Sequence, residues 1–454
     1  MTSLRTYLPI VTAQPSFPDV VREVDDGMIP NEKIWVSCYT HKWGKSIHAK
    51  IDVTLDAHDR SLVRFNTVEG DVKLEKDARG IYSATCPSLN IPPTSLALPR
   101  QEYADPERAN PQKPHRITAL AAAPDGSTFA TGFLDGSIHL YPVSAEGLTQ
   151  PPTSPPFRPY DSPSYNTPPK QVSRAHKSTV AVISYFASSR AILSSGGDFT
   201  LHVHPTGAAL RSSTSQPAGS STSRPTPLTP TRTLTGHARA VTGARPLGPT
   251  GALSASMDGT VRVWDVEAGE QAGMHIAATG VAALASASNN TEALVALADG
   301  RAQLIDLRAA EATGDPSNSS SSAGFTTPRP NAFGAGSAIA AHGHVFAMGS
   351  SRGVVALYDR RRPDVPLAEF ARNEGEGAAV ESLVFLDDGR LAVATADGLP
   401  FIASLNIAAG SRSEDPTVER ELIGADCDAV RCLSWRAGEL WAGGDDGVVR
   451  RYMV

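Results

Sequence analysis

The sequence predicts an all-β fold, a closed ring of small sheets, and three observations predict it. The 454 residues hold 38 glycines and 35 prolines but only 6% aromatics, a balance that favours turns and short strands over long helices. A turn-to-aromatic register recurs seven times along residues 114–454. The wider gaps between recurrences hold low-complexity sequence, as a repeat interrupted by loop insertions requires.

The clearest repeat is GHARAVTGARPLGPTGALSASMDGTVRVWDV, residues 236–266. It contains a Gly-His start, two strand-like runs, an Asp-Gly turn, a third run and a closing Trp-Asp, the pattern of a WD repeat. In such a repeat an imidazole, a strand hydroxyl, the turn carboxylate and the Trp share a buried hydrogen-bonded chain. Here these are His237, Ser254 or Ser256, Asp258 and Trp264. Buried polar groups of this kind are tolerated only when each finds a partner, so the residue types recur together.

The six-residue step from Asp258 to Trp264 is repeated from Asp135 to Tyr141, Asp198 to His204 and Asp446 to Tyr452. Weaker copies run from Asp299 to Ile305, Arg352 to Tyr358 and Asp397 to Ala403. Seven units closing into a ring leave no exposed sheet edge. The expected architecture is therefore a seven-bladed WD40 β-propeller over residues 114–454, preceded by a small β-rich N-terminal domain and Pro-rich tether over residues 1–113. Strands are expected at 34–39, 46–56 and 80–86. The last repeat ends at Val454 with three strands, so an upstream segment must supply its fourth, and 94–99 is the candidate.

Inserts near 143–173, 206–233 and 309–335 are rich in Pro, Ser and Thr and are expected to be disordered. They carry Ser-Pro or Thr-Pro pairs at Ser154, Ser162, Thr167, Thr226, Thr229 and Thr327, either proline-directed phosphorylation sites or products of composition alone.

Charge and motifs exclude several functions. Lys plus Arg number 41 against 47 Asp plus Glu, a net −6 that argues against nucleic-acid binding through bulk charge. No apolar run reaches the roughly 20 residues of a membrane span. Cys38, Cys86, Cys427 and Cys432 are too few and scattered for a disulfide framework, which points to a reducing compartment. No phosphate-binding loop, nucleophile elbow or metal-binding helix is present, so no enzyme, cofactor or metal is expected. The pairs His202/His204 and His342/His344 lack a third ligand and read as structural. The turn aspartates read as acceptors within blades, and Trp435 and Trp441 as core.

Residues 365–454 hold sixteen Asp plus Glu against eight Arg and no Lys, so 8 − 16 = −8. Glu374, Glu376, Asp426, Asp428 and Asp445 fall in connections that share one propeller face, and are expected to offer an acidic crescent to a basic partner.

ELIGADCDAV (421–430), DDGVVRRY (445–452) and IWVSC (34–38) resemble the proteasomal ATPase-associated factor family, of which the chain looks like a fungal-type member with long loop inserts. The resemblance implies a WD-repeat chaperone, cytoplasmic and nuclear, that holds the C-terminal small domain of a proteasomal ATPase subunit during assembly of the regulatory particle base. It implies no nucleic acid or membrane partner, and a monomer is expected because no heptads are present. Two alternatives stand beside it. Tyr358-Asp359-Arg360-Arg361 and Ile305-Asp306-Leu307-Arg308 are imperfect copies of the adaptor-binding motif of cullin ligase substrate receptors. Arg360, Arg361 and Arg362 form the dense basic cluster that a ribosome-assembly WD scaffold would use.

Overall fold

Short alternating strands separated by Gly-containing turns fold here into seven antiparallel sheets ranged around a central channel. This computed structural model describes residues 5–41, 44–56, 63–77, 80–110, 112–143, 170–206, 225–285, 290–309, 323–329, 333–373, 377–405, 407–408, 411–412, 415–425 and 428–454. The first strands of the sheets are Ile117–Ala122, Val180–Tyr185, Val241–Leu247, Val281–Leu284, Gly336–His342, Val380–Phe385 and Val430–Arg436. Each neighbours the next, and the last returns to the first. All seven line the channel.

The six-residue register is a pairing register. Each aromatic-slot residue on a third strand lies opposite a second-strand residue twelve positions earlier: Tyr141 faces Phe129, His204 faces Ile192 and Trp264 faces Ala252. Ile305 faces Ala293, Tyr358 faces Phe346, Ala403 faces Leu391 and Tyr452 faces Leu440. A one-residue slip would turn every one of these side chains to the other face of its sheet, so the periodicity specifies the ladder.

The outer strands of the first, second and fourth sheets are Gln171–Ser173, Arg232–Leu234 and Ala323–Thr326. They fall inside the stretches assigned to inserts from composition, because a three- or four-residue edge strand carries too little apolar pattern to be seen. Ser154, Ser162 and Thr167 lie outside the described residues. Thr226 and Thr229 are exposed. Thr327 is buried and accepts the Ala302 N–H at 2.8 Å, which removes it from the accessible candidates.

The seventh sheet is closed by Gln101–Ala104, which pairs antiparallel with the last strand, Val448–Met453. Residues 94–99 do not fill that place. Ile91–Ala97 instead lies parallel on the outer strand of the sixth sheet, Thr417–Leu422, and continues through Tyr82–Cys86 to Lys73–Lys76. Pro92 and Pro93 sit at a register shift in that ladder, where no donor is demanded of them. The stretch expected to be a tether is thus built into two blades. Thr6–Tyr7 likewise adds a parallel strand to the fifth sheet.

The rest of the N-terminal region is a sheet of Ile10–Ala13, Asn31–Tyr39, Ser46–Leu55 and Val63–Glu69, covered by the helix Phe17–Asp25. That helix went unread in the sequence, although Phe17, Val20, Val21 and Val24 follow helical spacing and are all buried. Its core is shared with Ile423 from the propeller. Glu421 and Arg372 form a buried ion pair, with both carboxylate oxygens at 2.8 and 2.9 Å from Arg372 Nη2. The Val11 N–H donates to the same carboxylate at 3.0 Å. This polar lock ties the N-terminal sheet to the fifth and sixth blades. The thiols of Cys38, Cys86 and Cys432 are free and buried, and burial pushes Cys38 and Cys432 up to about 12.

Two outcomes follow from this closure. Tyr103 packs on Phe129 and Trp441 with ring centroids 4.7 and 5.8 Å apart. Tyr103→Ala should therefore cost about 2–3 kcal/mol in urea denaturation, and an unchanged midpoint would show that the added strand does not hold the ring. Glu421→Gln should cost about 3–5 kcal/mol by stranding the Arg372 charge. The double change Arg372→Met with Glu421→Leu should recover much of that loss.

Candidate protein-interaction surface

In the third blade, local sequence puts the tetrad residues on neighbouring strands and loops. Trp264 Nε1 donates to Ser254 Oγ at 2.8 Å, and the Ser254 hydroxyl lies 2.7 Å from His237 Nε2. His237 Nδ1 donates to Asp258 at 2.9 Å. Only a neutral imidazole completes this chain, and burial holds His237 below its ordinary value. Asp258 also accepts from the Ala238 N–H and from Thr260, which keeps its carboxyl far below the usual range against the cost of burial. Ser256 stands beside the chain: its hydroxyl donates to the Arg239 carbonyl and accepts the Asp258 N–H. Ser254 is the member, because it stands one step along the strand from Ala252, which faces Trp264, whereas Ser256, on the same face, sits a further step away against Arg239 and Asp258.

The second blade repeats this arrangement around Asp198, with His176 and Ser194, which the spacing did not single out. His176 Nδ1 donates to Asp198 at 3.0 Å, and Ser194 Oγ lies 2.9 Å from Nε2. Ala175-His176 stands where the third blade has Gly236-His237, a signal hidden by the missing glycine. His204, in the aromatic slot, turns to Ser173 at 2.9 Å. His176, Asp198 and His202 place ligand atoms within 4.8 Å of one another. Both nitrogens of His176 and of His202 already meet internal partners, Ser194 and Asp198 for the first, Thr200 and Thr233 for the second. The cluster is the blade's own polar core. Elsewhere arginine replaces the imidazole: Arg108 holds Asp135 at 2.7 Å and Arg450 holds Asp446 at 2.6 Å.

Connections entering each first strand and turns joining second to third strands emerge on one face. They interlock, since a Cβ on Gly136 would meet the His176 carbonyl and one on Gly447 the Arg108 carbonyl. The channel below, about 1320 Å³, is lined by Arg116, Arg245, Glu381, Arg431, Arg436 and Asp445 among others. Asp445, expected as a free member of the acidic crescent, is bound in a bidentate pair by Arg431 at 2.8 and 2.9 Å, with Arg116 at 3.5 Å. Arg431 also reaches Glu381 at 2.8 Å. Asp428 is exposed on the same face. Glu374, Glu376 and Asp426 lie outside the described residues.

Arg450 and Arg451 are both drawn back onto the chain. Arg450 pairs with Glu102 and Asp446, and Arg451 pairs with Glu439 and stacks on Trp441. The closing strand Gln101–Ala104 pairs alongside both. Trp441 is buried in that stack, while Trp435 lines the channel half-buried. In the basic cluster, Arg360 pairs with Glu292 and Arg361 with Asp359.

Fold, register and tetrad together define a WD-repeat β-propeller. Residues 110–141 and 228–265 match the family described as "WD domain, G-beta repeat". Over 155 residues the chain is 28% identical to the "Ribosome biogenesis protein WDR12 homolog" of Ixodes scapularis. That stretch covers 34% of this chain and 34% of the relative, so the match spans about a third of either protein. WD repeats are protein-interaction modules. The strings that resemble the proteasomal factors, 34–38, 421–430 and 445–452, lie outside both family-matched segments.

The buried imidazoles make stability depend on pH. Burial, with the neighbouring imidazoles, lowers His202 to about 4 and His204 to about 3. In the unfolded chain each titrates near 6.5. Their contribution is therefore complete above pH 6.5 and is lost as pH falls towards 4 and then 3. Each should add a slope of up to about 1.4 kcal/mol per pH unit in that window. Urea denaturation between pH 7 and 4.5 should show this decline, and His204→Tyr should make it shallower. An equal slope in the variant would mean that His204 charges freely in the fold.

Proposed function

We infer that this chain is a non-catalytic WD-repeat scaffold for assembly of a large macromolecular complex, and that ribosome assembly is its best-supported setting. The observation that carries this reading is the 28% identity to a relative whose name is a ribosome biogenesis protein. The geometry is compatible with it: a ring face of first-strand connections and second-to-third-strand turns, packed on one another at Gly136 and Gly447, offers a broad, stiff surface, and the tetrad residues of the third blade hydrogen-bond one another. A location in both cytoplasm and nucleus goes with this role.

Chaperoning of a proteasomal ATPase is the second reading, favoured by one specific feature. Among residues of the resembling strings, Glu421 binds the sixth blade to the N-terminal region, Tyr452 donates to the Ile423 carbonyl between the last two blades, and Arg450 ties Asp446 of the last blade to Glu102. Those strings thus describe how the two parts of this chain are joined, an architecture that such chaperones would share. The surface for a basic ATPase domain would be the crescent of Glu374, Glu376, Asp426 and Asp428, with Asp445 largely neutralised.

Two measurements separate the readings. The tagged full-length chain should co-sediment with pre-ribosomal particles in a sucrose gradient, and its depletion should raise unprocessed ribosomal RNA. Retention in light fractions with normal processing would overturn the ribosomal reading. Calorimetric titration against the C-terminal domains of the six proteasomal ATPases should then give salt-sensitive binding that Asp426→Lys with Asp428→Lys removes, if the second reading holds.

A further inference from the structure

Six of the seven turns between second and third strands place a glycine at the same position, with φ between +73° and +86°: Gly136, Gly259, Gly300, Gly353, Gly398 and Gly447. The second blade places Phe199 there, at φ +69°. Glycine adopts this left-handed conformation freely, whereas a bulky side chain is strained in it. Burial does not account for the exception, because Phe199 is 43% exposed. Backbone strain of this kind clusters at functional positions, and here it is kept on an exposed aromatic side chain.

The surroundings of Phe199 say what it would meet. The loop 174–179 lies between the first and second blades' turns and is fastened to both. Thr179 Oγ1 donates to the Leu134 carbonyl at 3.4 Å, and the Gly197 N–H donates to the Thr179 carbonyl at 2.8 Å. Leu134, in the first of these turns, is 53% exposed. Arg174 and Lys177 stand on that loop and Arg239 on the next, all three exposed and without an acidic partner among the described residues. Two of the nearby carboxylates turn inward, while Asp135, beside Leu134, stays 44% exposed and is held by Arg108 at 2.7 Å. Asp198 is taken by His176, the Lys177 N–H and Thr200, and Asp258 by His237, the Ala238 N–H and Thr260. Beyond the Arg108-paired Asp135, the charged side chains that reach solvent beside Phe199 and Leu134 are basic.

We propose that Phe199 and Leu134, flanked by Arg174, Lys177 and Arg239, form a docking site for a short acidic protein segment that carries an apolar side chain. The exposed apolar pair supplies desolvated anchors, and the three cations supply orientation and rate of encounter. A protein segment fits better than RNA. A continuous polyanion crossing this face would run towards Asp428 and the acidic last blades, while three basic residues suit a brief acidic stretch. The occupant is external, since the connections that carry the Pro/Ser/Thr inserts join third to fourth strands and leave from the opposite face. The site does not depend on which assembly the scaffold serves.

The test is fluorescence anisotropy on the full-length chain with three labelled probes. These are a Glu-rich peptide of about twelve residues with a central Leu-Phe, the same peptide with Lys for Glu, and an oligouridine of equal length. The acidic peptide should bind in a salt-sensitive manner, and the other two should not. Phe199→Gly should weaken binding at least about tenfold while the melting temperature stays the same or rises, because the strain is relieved. Lys177→Glu with Arg239→Glu should abolish binding with no loss of melting temperature. Absence of binding by the acidic peptide, undiminished binding by Phe199→Gly, or tighter binding of the oligouridine would each overturn the proposal.

Discussion

A ring of sheets is only as stable as its last joint. In this chain the last joint is non-local: the final strand ends at Met453, and its partner is Gln101–Ala104, some 350 residues earlier in sequence. Without that partner the seventh sheet would present an open edge and leave Trp441, Arg450 and Arg451 uncovered. With it, Tyr103, Phe129 and Trp441 form one aromatic stack between the last blade and the first. The position of everything upstream follows. Residues before 101 must approach along the outer edges of the fifth and sixth blades, where Thr6–Tyr7 and Ile91–Ala97 are captured as parallel strands. The Arg372–Glu421–Val11 lock sits at that junction.

Within the blades, the same polar problem is solved in three ways. The third blade uses the full Trp, Ser, His and Asp chain. The second keeps Ser, His and Asp and fills the aromatic slot with His204. The first and seventh hold the turn carboxylate with arginine. The polar types change, but the turn carboxylates described in these blades all accept bonds from their own surroundings. Formal charge counted along the sequence therefore misjudges the surface. Asp445 contributes to the acidic total, yet Arg431 and Arg116 neutralise it at the channel mouth. Asp198 and Asp258 likewise count as acidic, yet they turn inward and leave Arg174, Lys177 and Arg239 as the exposed charges of their sector.

The formal acidic excess belongs to residues 365–454, whereas the exposed Arg174, Lys177, Arg239, Phe199 and Leu134 belong to the first three blades. The proposed docking site beside Phe199 and the proposed acidic crescent would together orient two partners, or two parts of one partner, relative to each other. Electrostatic complementarity of that kind sets orientation and encounter rate more than affinity.

The all-β class, the repeat register and the members of the third-blade tetrad were legible in the sequence, because each is a local spacing rule. A six-residue step between a turn and a strand position survives loss of the aromatic itself, as Ala403 shows. The helix Phe17–Asp25 was equally local and was hidden only by two flanking prolines in a region otherwise read as strands. Tertiary structure alone decided the rest. Which upstream segment closes the ring, 94–99 or 101–104, depends on how far the N-terminal sheet reaches around the outside. Which of Ser254 and Ser256 joins the tetrad depends on distance along the strand, because residues two apart share a face and only Ser254 comes within reach of both Trp264 and His237. Which carboxylates and which cations reach solvent depends on partners from other blades, such as Arg431 for Asp445. Sequence spacing records neighbours along the chain, whereas closure and surface charge are set by neighbours that only folding brings together.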